Sequence, residues 1–310
     1  MINFRFHLVS LIAVFLAMGL GILVGSTVVD QVIVDRLDRE ISSVSHESNQ
    51  LKSENNRLGN EVSKLDDFVR KSSAYAIQDR LTGQSVAIIA EEGIATDAVG
   101  ALLESVRGAG AEVPGVLWLN DKWRLDSPKD LRSLQSAARV TGNVAASRLA
   151  ALRELATRLA EPARSRRGRD VVEPLRSAGF LDFGDGTRSA LAAFPARPAR
   201  VLVLTGTDSH LSATDTMVDL VQSLLTADAP TVLGEVYDAK TGPTAPRRGA
   251  ALEPVRGDPP LAKLVTTLDD AELPQGALTA VISLDQIAAG TIGHYGYGEG
   301  ADETLPPLPS

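Results

Sequence analysis

"QSVAIIAEEGIATDAVGALLESVRGAGAEVPGVLWL", Gln84 to Leu119, changes its hydrophobic period twice. QSVAIIA (84–90) is a short apolar run rich in Val and Ile, the pattern of a buried strand. TDAVGALLESVRGAG (96–110) spaces its apolar residues along one face of a helix and closes on glycine, and AEVPGVLWL (111–119) returns to strand. Strand, helix and strand in this order make a βαβ unit, whose two strands are parallel because the helix carries the chain back across the sheet.

A second alternating run lies downstream. ARVLVLTGTD (199–208) and PTVLGEVYD (230–238) read as strands flanking the helix SATDTMVDLVQSLLTA (212–227). The spacing then predicts a helix over PLAKLVTTLDD (260–270) and a strand over ALTAVISL (277–284). Ser212 and Asp215 form a capping box at the start of the 212–227 helix, which gives Asp215 a structural role. Between the two runs, Ser127 to Gly179 is mainly helical in pattern and rich in Ala and Arg. The expected fold class is therefore α/β, a Rossmann-like parallel-sheet domain over 84–298 with a helical insertion. The proline-containing end, 299–310, reads as a flexible tail.

Upstream of the sheet the period becomes heptad. Val34, Ile41, Ser48, Asn55, Val62 and Val69 fall at a, with Leu37, Val44, Leu51, Leu58 and Leu65 at d, and all but Ser48 and Asn55 are apolar. A sustained repeat of about 3.5 residues needs supercoiling against a partner, and β-branched a with mostly Leu d favours a parallel dimer. Asn55 fits that reading, because an amide at a pairs with its mate in one register only and disfavours slipped alternatives. Residues 30–72 are thus expected to be a dimeric coiled coil, making the chain a homodimer.

Leu8 to Val29 carries no charge, and at about 1.5 Å per residue it is roughly 33 Å long, enough for a hydrocarbon core of about 30 Å. It is longer than the apolar core of a cleaved signal peptide, so residues 1–29 are read as a retained membrane anchor. Arg5 precedes the span while Asp30 and Asp35 follow it. This asymmetry places the N-terminus in the cytoplasm and the bulk of the chain outside, a single pass through the cell membrane. Ala13, Ala17, Gly21 and Gly25 recur every four residues, a stripe along which two such helices pack closely.

Composition narrows the partners. The 310 residues have a formal net charge of -8, which argues against nucleic acid as a ligand. The one basic run, Ala163 to Arg169, reads as a solvated loop. With no cysteine there is no disulfide, thiol nucleophile or thiolate metal site. Ser, His and Asp stand together in TGTDSH, but no strand-turn-helix G-x-S-x-G elbow supports a triad. Glu91 and Glu92 occupy the first strand-helix turn, where a phosphate would need glycines and amides. The expectation is a protein without enzymatic activity.

The opening MINFRFHLVSLIAVFLAMGLGILVGS, the coil, the α/β domain and the late GHYGYG (293–298) together resemble the actinobacterial mycobacterial copper transport protein B family, over nearly the whole chain. That resemblance implies a role in copper efflux and resistance, assignment of family members to the outer membrane as pores, and for related members cell-division control through a neighbouring protein. A dimeric membrane-tethered scaffold working through an envelope partner is therefore the alternative function. Copper itself is implied by the resemblance alone, and no cofactor is shown by the sequence.

The residues offer copper little. Cu(I) favours Cys and Met, and the three methionines, Met1, Met18 and Met217, do not cluster. Imidazoles remain at His7, His46, His210 and His294. His210 with Asp208 follows a strand, at the end where parallel sheets bind ligands, so Asp208, His210 and His294 are the candidate metal residues. For His294, Tyr295 and Tyr297 two roles stand open, binding and packing of the chain end.

Overall fold

The computed structural model describes residues 4–160, 170–184, 199–207, 211, 216–238 and 246–307, with the side chains of 26–33 left aside. Two compact units result, Met1–Leu65 and Asp66–Ser310.

The first unit belongs to one uninterrupted helix, α1 (Phe4–Ile77). Its segment Phe4–Gly25 is long and apolar enough to cross a membrane and is wholly exposed. Ala13, Ala17, Gly21 and Gly25 share one face of it, and a Cβ built on Gly21 or Gly25 would meet nothing within 4 Å. Farther along, the a and d residues point away from any core of their own, from Leu58 at 45% exposure to Leu65 at 62%. A lone helix has one apolar stripe and no layer to bury it against.

The second unit is a mixed α/β domain built on one seven-stranded sheet. Its strands are β1 (Val86–Glu91), β2 (Val116–Leu119), β3 (Leu181–Gly184), β4 (Arg200–Gly206), β5 (Thr231–Val236), β6 (Thr266–Leu268) and β7 (His294–Tyr295). They lie in the order β3-β2-β1-β4-β5-β6-β7, which contains the doubly wound order 3-2-1-4-5-6. All neighbours pair in parallel except β3, which runs antiparallel to β2.

Both faces of the central strands are covered, as a parallel sheet requires, so β1 and β5 are buried at every residue. Ala87, Ile89, Val201 and Val203 point to one core, shared with α3 (Pro128–Ala138), α4 (Val144–Ala160), α5 (Val172–Ser177) and α6 (Thr216–Thr226). Val86, Ile88, Leu202 and Leu204 point to the other, shared with α2 (Thr96–Gly108), α7 (Pro274–Gln286) and Ile77 at the foot of α1. The helical insertion thus supplies much of one outer layer. Trp123 anchors it, fully buried, with its indole N–H donating to the Phe180 carbonyl at 2.9 Å and its ring edge-on to Phe180.

Four expectations change. Within 260–270, where a helix was expected, only Pro259–Ala262 turns helically, and Thr266–Leu268 is strand β6. Within 277–284, expected as a strand, the chain is part of helix α7. The physical reason is burial: α7 packs Thr279 to Leu284 away from water all round, so its sequence lacks the polar face that distinguishes a helix from a buried strand. Val69, expected in the dimer seam, is half-buried in the second unit, and Ser73 and Ile77 beyond it are buried. The segment expected to be a flexible tail makes specific contacts as far as Pro307. The Asp302 amide donates to the His294 carbonyl at 2.7 Å, and the Gln286 side-chain amide donates to the Pro307 carbonyl.

Candidate functional site

Doubly wound sheets bind ligands beyond the C-terminal ends of their strands, where the strand order reverses. Here that point lies between β1 and β4, and Glu91 fills it. The side chain is fully buried, one oxygen accepting from the Thr205 hydroxyl at 3.0 Å and the other from the Leu211 amide at 2.8 Å. A carboxylate at this position repels a phosphate. Asp208 and His210 lie outside the described residues, as do Ser212, Asp215 and the basic run 163–169.

His294 sits on the sheet edge in β7. Its Nδ1 lies 2.9 Å from the Thr267 hydroxyl on β6. Burial, with the Arg256 charge beside it, holds the ring below its ordinary value, so it is neutral at pH 7. The glycines of GHYGYG have a steric cause. Gly296 has a φ of +126°, and a Cβ there would fall 2.2 Å from an Asp269 oxygen, while a Cβ on Gly298 would fall 2.5 Å from the Arg248 carbonyl oxygen. This turn closes over Asp269 and admits no side chain at either position.

Asp269 is the centre of a buried ionic network at the ends of β5 and β6. Its Oδ1 accepts from the Tyr297 and Gly298 amides at 2.8 and 3.0 Å, and its Oδ2 pairs with Arg256 at 2.8 Å. Arg256 also donates to the Thr267 hydroxyl and to the carbonyls of Tyr295 and Glu299. Arg248 donates to the Asp269 carbonyl and to Glu272, each at 2.6 Å, with its guanidinium stacked over Tyr237. Glu235, the acid of β5, accepts from the Gly249 and Ala251 amides. Burial pushes Glu235 up to about 7 against those two bonds. Asp270 is also pushed up to about 7, by burial and then by the charges of Asp269 and Glu272.

Glu272 also lines a groove of about 590 Å³. Ala74 and Ile77 of α1, Leu102 and Ser105 of α2, and Leu273 and Ala277 at the start of α7 form its walls, with Asp66, Arg70 and Glu104 beside them. The surface it exposes is mostly nonpolar. Such a surface suits an apolar ligand segment.

The ionic network and the groove were not read from the sequence. The signals were an acid inside an apolar strand run, LGEV, and the acids of DDAE directly after TTL. A helix over 260–270 would put Asp269 and Asp270 at its C-terminal end. Recognising β6 places them at the end of a buried strand instead.

A protein-family model described as "Copper transport outer membrane protein, MctB" matches residues 1–306. The chain is 28% identical to "Copper transporter MctB" of Mycobacterium tuberculosis (strain ATCC 25618 / H37Rv) over 316 residues, covering 97% of this chain and 98% of the relative. The protein of the same name from Mycobacterium bovis gives the same values. That of Mycobacterium leprae (strain TN) is 29% identical over 325 residues, covering 99% and 100%. The match takes in the apolar helix, the heptad segment, the sheet and the glycine-rich turn alike, and the chain belongs to the MctB family of copper transport outer membrane proteins.

Proposed function

We propose that this chain serves copper transport as a membrane-anchored, dimeric, non-enzymatic envelope protein that positions its α/β domain and is not itself the conduit for the ion. The observation that carries the reading is α1, in which an apolar span continues without a break into a heptad seam with exposed a and d residues. A second copy of the same seam buries those residues, with Asn55 setting the register. Arg5 before the span and the acids after it support a cytoplasmic N-terminus with the domain outside.

The copper role is supported by the family and by the names of its members. Direct conduction finds less support. Among the described residues no three of His, Asp and Glu are grouped to hold a metal, and Met217 is packed in the core. The sheet of the described residues is open, edged by β3 and β7, with its middle strands buried on both faces. A membrane barrel needs strands that close and face lipid on one side. The non-enzymatic reading is supported by Glu91, whose own side chain occupies the usual ligand crevice.

The test pairs reconstitution with complementation. Purified full-length protein in liposomes is expected to give no copper flux. A strain lacking the protein is expected to regain copper resistance from a His210→Ala, His294→Ala variant, and not from a variant lacking 30–72. Reproducible flux from the pure protein, lost in the histidine variant, would establish it as the conduit and sink this reading.

A further inference from the structure

Asp270 is fully buried, and among the described residues neither carboxylate oxygen meets a donor beyond its own amide. The charges around it are already engaged. Arg248 pairs with Glu272, Arg256 pairs with Asp269, and Glu235 takes two backbone amides. His294, on the far side of Arg256, is neutral and bonded to Thr267. A carboxylate without donors in a dry interior is disfavoured, so burial favours the neutral acid there below about pH 7.

The backbone of Asp270 is mechanically tied to the groove. Its carbonyl accepts from the Leu273 amide at 2.8 Å. A Cβ on Gly276 would stand 1.9 Å from that same oxygen, so the first turn of α7 lies directly on Asp270. The residues next along the chain, Ala271 to Pro274, and then Ala277, form one wall of the groove.

We propose that Asp270 is a proton-operated latch: as the neutral acid it stays in the interior and fixes the groove wall from Ala271 to Ala277, and on ionisation it leaves that interior and loosens the wall. The sign of the pH dependence follows from the raised value of about 7. The native state holds this proton above the range near 4 where an unfolded carboxyl loses it. Stabilisation by the neutral form is therefore complete below about pH 4 and is lost as the pH rises through about 7. Glu235, raised for the same reason, adds in the same direction.

The experiment uses full-length protein in detergent, with melting followed by Trp118 and Trp123 fluorescence at pH 5 and pH 8. The wild type is expected to melt lower at pH 8, and Asp270→Asn to lose less on the same change, by roughly 5 °C. A constant offset between the two proteins at both pH values overturns the latch. Should the variant not fold, hydrogen exchange of the wild type decides. Exchange over 271–277, corrected for its intrinsic pH dependence, is expected to rise at least about fivefold from pH 5 to pH 8. Unchanged protection there overturns the proposal.

Discussion

Gly296 shows how one residue explains a motif. The turn it makes over Asp269 needs a left-sided φ and a bare α-carbon at once, and each requirement alone would exclude most side chains. Gly296→Ala is expected to cost about 2 kcal/mol or more, because the strain and the clash with Asp269 add. Chemical denaturation of the full-length protein checks it, and a loss below about 0.5 kcal/mol would mean the turn relaxes freely. Tyr295 and Tyr297 follow from the same geometry: Tyr295 is buried on the strand edge, while the Tyr297 amide serves Asp269 and its ring remains exposed. Packing of the chain end thus accounts for most of GHYGYG. His294 shares in it through Thr267.

At the scale of the element, the apolar stripe of α1 has two stretches with different surroundings. One is the heptad seam, exposed from Val34 to Leu65. The other begins at half-buried Val69 and continues through buried Ser73 and Ile77 into the core of the second unit. A cysteine introduced at Leu51 is expected to crosslink two identical chains, there being no native cysteine to compete. Asn55→Val is expected to raise the melting temperature of the coil and to admit other oligomers, since the amide costs stability while setting register. Melting and mass both unchanged would place Asn55 outside the seam. The helix α7 teaches the opposite lesson about periodicity, since an element buried on all sides loses the polar stripe that names it.

For the whole molecule, the segments follow in a fixed order of apolar span, heptad repeat and sheet. A reporter fused after Ser310 is expected to be active only outside the cytoplasm, and cleavage of the α/β domain by external protease in spheroplasts gives the same answer independently. Protection of the domain from that protease would reverse the topology. The groove between α1, α2 and α7 and the latch beneath it provide that domain with a surface whose shape depends on pH.

The sequence by itself determined the apolar span, the heptad repeat along α1 and the β1-α2-β2 unit. Each rests on a local period, of helix, heptad or strand, which a chain displays whether or not it is folded. The doubly wound character was also legible, because alternating strands and helices leave few ways to bury both faces of a sheet. Only the tertiary structure decided that 266–268 is a strand and 274–286 a helix, since burial from every side erases periodicity. Only it assembled Glu235, Arg248, Arg256, Asp269, Asp270 and Glu272, which stand on β5, a loop, the short helix Glu253–Arg256 and the segment that follows β6. Their chemistry arises from mutual distance and exclusion of water. Neither quantity is written in the order of residues, and both exist once the sheet has closed over them.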